Sequence, residues 1–238
     1  MLFNLIRSFM SGADPVFLTV QILFLIIIGL FSLSVHETAH GFVAWKLGDP
    51  TAHDLGRLTL NPIKHLDPVG FICMLIAGFG WAKPVPINSR NFKNPRRDMA
   101  LSAAAGPLSN LILAFVNVLF VRLIFEFWIN SNIYLELLCI FFYYATYMNL
   151  TLAVFNLLPV PPLDGSRLFY VFLPPKWYFG IMKYERIIYI VVLILLGTGV
   201  LSPVITTVTR WLFKGMLFIV GLGKDEMANY MLYLITGA

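Results

Sequence analysis

Two histidines and a glutamate stand in the order His36-Glu37-Thr38-Ala39-His40, which is the H-E-x-x-H spacing. Residues four apart lie on one face of an α-helix, so His36 and His40 can direct two imidazoles at one metal ion. Glu37 lies about 100° around the helix from His36, where its carboxylate can act on a water without being a ligand. This pattern predicts zinc-dependent hydrolysis with Glu37 as general base.

The motif lies at the end of an apolar run that covers residues 22–35. Hydrophobic residues make up 59% of the chain and charged residues 12%, with a mean hydropathy of +0.81. Soluble domains are about 45–50% apolar and about 25% charged. The composition therefore predicts an integral membrane protein. The net charge of +5 comes without a long basic run or a finger spacing, so nucleic acid is not expected as a partner.

Four runs are long and apolar enough to suggest membrane-spanning helices, since a span needs about 20 apolar residues. They cover about residues 16–44, 99–128, 134–158 and 187–203. Residues 204–222 carry Arg210 and Lys214 in mid-segment, which favours an amphipathic or interfacial helix over a free span. A short apolar stretch at 227–235 has no clear placement.

The stretch 69–81 is too short for a span and contains three glycines. We expect it to enter the membrane and return without crossing. After it, each proline of Lys83-Pro84-Val85-Pro86-Ile87-Asn88 excludes helix at the residue before it, so residues 83–88 read as an extended strand or a loop.

Basic residues predict the orientation through the positive-inside rule. Both flanks of 69–81 and the region after the third span are basic, whereas the connection at 130–132 has no Lys or Arg. The predicted N-terminus is therefore outside, and both the H-E-x-x-H end and the Asp164 region face the cytoplasm. We expect four of these basic residues to contact anionic lipid headgroups: Arg90, Lys93, Arg96 and Arg97.

A catalytic zinc needs three protein ligands and one open position. The candidates for the third ligand are His53, His65, Asp49, Asp54, Asp67 and Asp164. Asp164 is the strongest of them, because it follows a helix broken by Pro159, Pro161 and Pro162 at membrane depth. Broken backbone is tolerated there only inside protein or beside a watery cavity, and an acidic residue at such a place is a functional candidate.

The pairing of His36-Glu37-x-x-His40 with Asn156-x-x-Pro-x-Pro-Pro-Leu-Asp164-Gly165 resembles the site-2 protease family of intramembrane zinc metalloproteases. Gly106-Pro107-Leu108-Ser109-Asn110 resembles the family's small-residue element between the two motifs. Residues 79–86 resemble the β segment beside the active site in the shorter bacterial members. The resemblance covers roughly residues 20–190 and shows neither a PDZ-like insertion nor a nucleotide-sensing domain.

The resemblance implies one zinc ion per chain, held by His36, His40 and Asp164. Glu37 is then the general base, and Asn156 is a candidate for holding the substrate strand or the developing oxyanion. The implied substrates are transmembrane proteins cut within or near the bilayer. Such a substrate must locally unwind, and one segment could then offer it edge hydrogen bonds: Lys83, Pro84, Val85, Pro86 and Asn88.

The predicted fold class is a polytopic α-helical membrane protein of about four to six transmembrane helices with a short re-entrant or β-like segment. We expect a single integral-membrane peptidase domain over 1–238, with a catalytic core at about 16–190 and C-terminal helices at 191–238. The expected location is a bacterial cell membrane. The sequence leaves a homo-oligomer open.

Several alternatives remain at this point. The histidine pair could belong to a metal transporter or sensor, although transport favours internal repeats and several ligand sites along a path. It could also belong to a non-catalytic scaffold that binds membrane partners. Asn110 could be an interhelical hydrogen-bond donor, and Asn156 could satisfy carbonyls freed by the prolines. His53 and His65 fit loop or interface positions better than ligand positions.

Overall fold

The computed structural model describes residues 15–77, 82–127, 132–174, 180, 183–226 and 228–229. Parts of the sequence predictions therefore lie outside the described residues. They are Phe79, Gly80 and Trp81 of the predicted β segment, Lys176 among the basic residues, and most of the stretch 227–235.

Three long helices form the body of the molecule: α1 at Pro15–Lys46, α5 at Pro95–Glu126 and α6 at Ile133–Asn156. Their ends lie within a few residues of the first three predicted spans. Pro95 stands in the first turn of α5, where its missing N–H costs nothing. The side chain of Asn132 accepts hydrogen bonds from the N–H groups of Tyr134 and Leu135 in the first turn of α6 and so caps it.

Four short helices connect α1 to α5. They are α2 at Thr51–Asp54, α3 at Pro62–His65, α4 at Pro68–Ala77 and a 3-10 turn at Ser89–Asn91. The described residues contain a single isolated β-bridge, between Leu66 and Ala82, and no strand. Residues 83–88 are therefore a loop, the second of the two forms that their prolines allow.

The region after α6 differs from the prediction of a fourth span at 187–203. Following α7 at Asp164–Tyr170, helix α8 covers Glu185–Gly197 and ends there. The chain turns through Gly199 at a φ of 76° and resumes as α9 at Ser202–Ile219, bent by 76° from α8. Gly197, Gly199 and Pro203 explain the early end, since glycine favours a left-handed turn and proline starts a new helix.

Helix α5 packs against both α1 and α6, and α9 packs mainly against α6. The buried core joins α5, α6 and α9 through side chains such as Val118, Tyr143 and Phe213. The outward surface is also apolar, and on α8 it includes Ile187, Ile190 and Ile194. Water would disfavour such a surface, whereas lipid matches it.

Among the described residues, three helices are long and apolar enough to cross a membrane, or four if the bent pair α8–α9 counts as one span. The chain is thus a polytopic helical membrane protein, as its composition predicts.

Candidate metal centre

Three side chains from two distant parts of the chain converge at one point. Nε2 of His36 lies 3.0 Å from Nε2 of His40. Oδ2 of Asp164 lies 3.1 Å from the first of these nitrogens and 3.2 Å from the second. We call these three residues the ligand cluster. It is the one group of three or more His, Cys, Asp or Glu side chains with metal-binding geometry within the described chain.

The opposite nitrogens of the two imidazoles are both used as donors. Nδ1–H of His36 donates to Oδ1 of Asn110 at 2.5 Å, and Nδ1–H of His40 donates to the carbonyl of Ser102 at 2.7 Å. Neutral imidazoles that donate through Nδ1 carry a lone pair on Nε2. Both lone pairs therefore face the carboxylate oxygen, which is the arrangement that metal-ligating histidines have.

The cluster fits a divalent cation. Two lone pairs and a carboxylate oxygen would repel one another without a positive charge between them. Zinc ligands lie about 2.0–2.2 Å from the ion in tetrahedral order, which places any two of them about 3.3 Å apart. The three distances of 3.0, 3.1 and 3.2 Å are close to this spacing. Two imidazoles and one carboxylate also leave a fourth position open.

Asn110 is itself held by a second amide that the sequence patterns did not reveal. Its Nδ2 donates to Oδ1 of Asn149 at 2.8 Å, and Nδ2 of Asn149 donates to the carbonyl of Ala145. Both asparagines are buried. Because this chain of amides crosses from α5 to α6, it fixes the orientation of Asn110 and hence which atom faces His36. No spacing signal could identify Asn149, since it lies on a different helix.

Two glycines make room for the cluster. A Cβ on Gly106 would lie 2.3 Å from Nε2 of His40 and 2.7 Å from Cε1 of His36, so α5 can approach the imidazoles only with a glycine there. A Cβ on Gly165 would lie 2.3 Å from the carbonyl oxygen of Leu157. Gly165 therefore lets the start of α7 pack against the end of α6 and brings Asp164 to the cluster.

The far end of α7 is tied to α5 by Arg96. Its guanidinium donates to the carbonyls of Tyr170, Val171 and Leu173. Tyr170 is the last residue of α7, and Val171 and Leu173 follow it, so these carbonyls have no partner within the helix. Arg96 thus has a structural role in holding α7, in addition to its predicted contact with lipid headgroups.

Glu37 lies beside the cluster and has a backbone partner. Its Oε2 accepts a hydrogen bond of 2.8 Å from the N–H of Val85, in the loop 83–88. The structure thus brings the predicted base and the predicted substrate segment together. Within the described chain, Oε1 of Glu37 accepts no hydrogen bond, so this oxygen is available for a proton.

The other five candidates for the third ligand do not join the cluster. His65 is buried and its Nε2 donates to the carbonyl of Thr59, while His53 stacks on Trp45 at the surface. The three remaining carboxylates have partners outside the cluster: Asp49 with Thr51, Asn88 and Asn91, Asp54 with His53, and Asp67 with Gly70.

Asn156 ends α6, and its Nδ2 donates to the carbonyl of Leu152 one turn earlier. Leu152 lies inside α6, seven residues before Pro159, so its carbonyl is not one that the prolines free. The ligand roles, the base role of Glu37 and a catalytic role of Asn156 stay predictions.

Comparison with known proteins supports the same interpretation. The family model for peptidase family M50 matches residues 123–198, which include Asn156 and Asp164. The chain is 46% identical over 187 residues to a Bacillus subtilis protein named "Putative zinc metalloprotease YwhC", covering 76% of this chain and 85% of the relative. It is 31% identical over 204 residues to "Putative zinc metalloprotease Rip2" of Mycolicibacterium smegmatis, covering 82% and 72% respectively. No solved structure gives a significant match.

Proposed function

The chain belongs to peptidase family M50 and is a membrane zinc metalloprotease, and we propose that it is a site-2-type endopeptidase that cleaves transmembrane protein substrates within or near the bilayer. The observation that carries the proposal is the convergence of His36, His40 and Asp164 inside a helical membrane bundle.

The depth of the cluster supports cleavage inside the membrane. His36 lies ten residues before Lys46, the last residue of α1. At 1.5 Å per residue, this is about 15 Å along the helix axis, or about half of a hydrocarbon core of about 30 Å. A substrate reaching this point must bring its own backbone into the membrane interior, which a transmembrane helix does.

The chain's own residues divide the chemistry among them. His36, His40 and Asp164 would hold the ion through Nε2, Nε2 and Oδ2. Zinc, when bound, supplies a Lewis acid that lowers the pKa of a coordinated water to about 7 and polarises the scissile carbonyl. Glu37 takes the proton of the attacking water on Oε1 and passes it to the leaving amine.

The loop 83–88 is suited to hold the substrate in extended form. Most of its backbone groups are engaged, since Lys83 N–H donates to the carbonyl of His65 and Arg57 donates to the carbonyls of Lys83 and Pro84. By contrast, the N–H and C=O of Ile87 bond to no other described residue. An unwound substrate strand can pair with these two groups as it would with the edge of a sheet.

The proposal also covers the orientation of the chain in the membrane and the extent of its peptidase domain. Lys46, Lys64, Lys83 and Arg90 are exposed and belong to the end of the molecule that follows the cluster in α1, so we place this end and the active site toward the cytoplasm. We further propose that residues 1–238 form one peptidase domain of a cell membrane protein, with its core at 16–190.

The test is cleavage of a single-span model helix in proteoliposomes, with the cut mapped by mass spectrometry. The wild type should cut within the span, and Glu37→Gln should lose at least about 100-fold in rate while it keeps its zinc. A transporter would keep metal flux in this variant, and a scaffold would show no change. Full cleavage by Glu37→Gln would refute the proposed function.

A further inference from the structure

Asp49 is a buried carboxylate that the ligand cluster does not use. It lies three residues beyond α1 and is 0% exposed. Such a group must be paired, because burying an unpaired charge strongly destabilises the folded protein. The hydrogen bonds of Asp49 are therefore needed for the fold, and their partners show which segments it connects.

Four hydrogen bonds reach the two oxygens of Asp49. Oδ1 accepts from the N–H and the hydroxyl of Thr51 and from Nδ2 of Asn91, at 3.1, 2.5 and 2.7 Å. Oδ2 accepts from the N–H of Asn88 at 2.7 Å. Burial raises the pKa of Asp49, but these bonds lower it by more, so its pKa lies below the usual range. Asp49 is thus an ionised group that joins the end of α1 to the end of the loop 83–88.

The loop 83–88 is fixed at both ends. At its start, Lys83 N–H donates to the carbonyl of His65, and Arg57 holds the carbonyls of Lys83 and Pro84. At its end, Asn88 N–H is held by Asp49. Pro84 and Pro86 restrict the backbone between these points. The fixed ends and the two prolines leave little conformational freedom for Val85, so its position is set by these contacts.

Val85 meets α1 twice in this position. Its N–H donates to Oε2 of Glu37, and its side chain is buried against Gly41, one residue after the second histidine. A Cβ on Gly41 would lie 2.9 Å from Cγ1 of Val85, so the glycine provides the seat for this side chain. The contact holds one oxygen of Glu37 and leaves the other one available.

We propose that Asp49 is a positioning residue for Glu37. Its carboxylate fixes the loop 83–88 and thereby keeps the Val85 N–H on Oε2, which orients Oε1 toward the ligand cluster. The role rests on the proposed function, because it matters for catalysis only if Glu37 is the base. It assigns a place in the active site to a residue that neither binds metal nor touches the reacting atoms.

Asp49→Asn tests the proposal with the smallest change in shape. An amide can keep one oxygen on Thr51 and Asn91, but it then turns an NH2 group toward the N–H of Asn88, and two donors cannot bond. The variant therefore releases the loop selectively. Asp98→Asn is the matched control, because Asp98 is equally buried and accepts from Asn94 N–H and Arg97 away from the loop.

The measurements are zinc content, hydrogen exchange of residues 83–91, and cleavage kinetics with the single-span model helix in proteoliposomes as the substrate. For Asp49→Asn we expect unchanged zinc, faster exchange at 83–91 only, and a kcat about tenfold lower with KM changed by less than about threefold. Asp98→Asn should keep the exchange of 83–91 and a kcat within about twofold of the wild type.

Three results would overturn the proposal: an unchanged kcat in Asp49→Asn, an equal loss in Asp98→Asn, or unchanged exchange at 83–91. A rise in KM alone would also overturn it, since it would assign Asp49 to substrate binding and not to the base. If the wild type with bound zinc cleaved nothing, the proposed function would fail, whereas the exchange comparison would still decide whether Asp49 holds the loop.

Discussion

The ligand cluster and the base region lie side by side but are built in different ways. The cluster consists of side chains on α1 and at the start of α7, held by α5 and α6 through Ser102, Asn110 and Asn149. The base region consists of Glu37 and a loop, held by hydrogen bonds to Arg57, His65 and Asp49. Helices thus position the metal, whereas a connection without regular structure positions the base.

This difference predicts that the two regions can be damaged separately. Changes where α5 contacts the ligand cluster, at Gly106 and Asn110, should reduce zinc binding and activity together. Changes around the loop 83–88 should remove activity and leave the zinc in place.

Gly106→Ala should have the largest effect. The added Cβ would lie 2.3 Å from Nε2 of His40. This overlap can be relieved only if α5 moves away from the cluster or the imidazole is displaced. We expect loss of most of the bound zinc and of all cleavage, measured by metal analysis of purified protein. Gly215→Ala is the control, because a Cβ there meets open space. Normal zinc in Gly106→Ala would contradict the described packing.

Asn110→Ala should weaken zinc binding without abolishing it. The substitution leaves Nδ1–H of His36 without its acceptor and frees the ring to turn. Loss of such a partner costs about 10–100-fold in metal affinity, which competition with a chelator would measure. Asn117→Ala, also buried on α5, should bind zinc as the wild type does. Equal affinities in the two variants would assign Asn110 to helix packing alone.

The spans and the ligand cluster could largely be predicted from the sequence, whereas the residues that hold the cluster could not. The first three spans were predictable because lipid requires about 20 apolar residues in a row, and the histidine pair because helical geometry brings residues four apart to one face. Asp164 was the favoured third ligand because of its broken, proline-rich context. Asn149 and Ser102 were not predictable, since their contacts depend on how α5 and α6 pack.

The same limit applies outside the cluster. The fourth span was predicted to run to residue 203, but α8 ends at Gly197 after 13 residues and the chain turns at Gly199. The prediction was therefore wrong in the extent of this span. The sequence offered Asp49 only as one of six candidates for the third ligand. In the structure it accepts a hydrogen bond from Asn88, which is 39 residues away in sequence. Local sequence patterns carry no information about such a contact.

Gly41→Ala should damage the base region and spare the metal. The new Cβ would meet Cδ2 of Leu58 at 2.7 Å and Cγ1 of Val85 at 2.9 Å. These are ends of side chains that can shift, so the protein should fold with Val85 displaced. We expect full zinc and cleavage reduced by about tenfold. If the zinc were lost as well, the two regions would not be separable at this residue.

The smallest effect concerns pH. The pKa of Asp49 is lowered in the folded protein, so its stabilising contribution is complete above the ordinary carboxyl pKa of about 4 and is lost as pH falls through the lower folded value. The thermal midpoint of Asp49→Asn in detergent should therefore lie below that of the wild type at pH 7, and the gap should narrow below about pH 4. A gap independent of pH would contradict a charged Asp49.

The central claim is that His36, His40 and Asp164 hold one zinc ion, and the most direct measurement is zinc per chain in purified wild type and Asp164→Ala. Asp67→Ala serves as control, since Asp67 caps the start of α4 and lies outside the cluster. The account predicts about one zinc in the wild type and in the control, as expected for a catalytic site, and a marked loss in Asp164→Ala. Full zinc in Asp164→Ala would contradict the assignment of the third ligand.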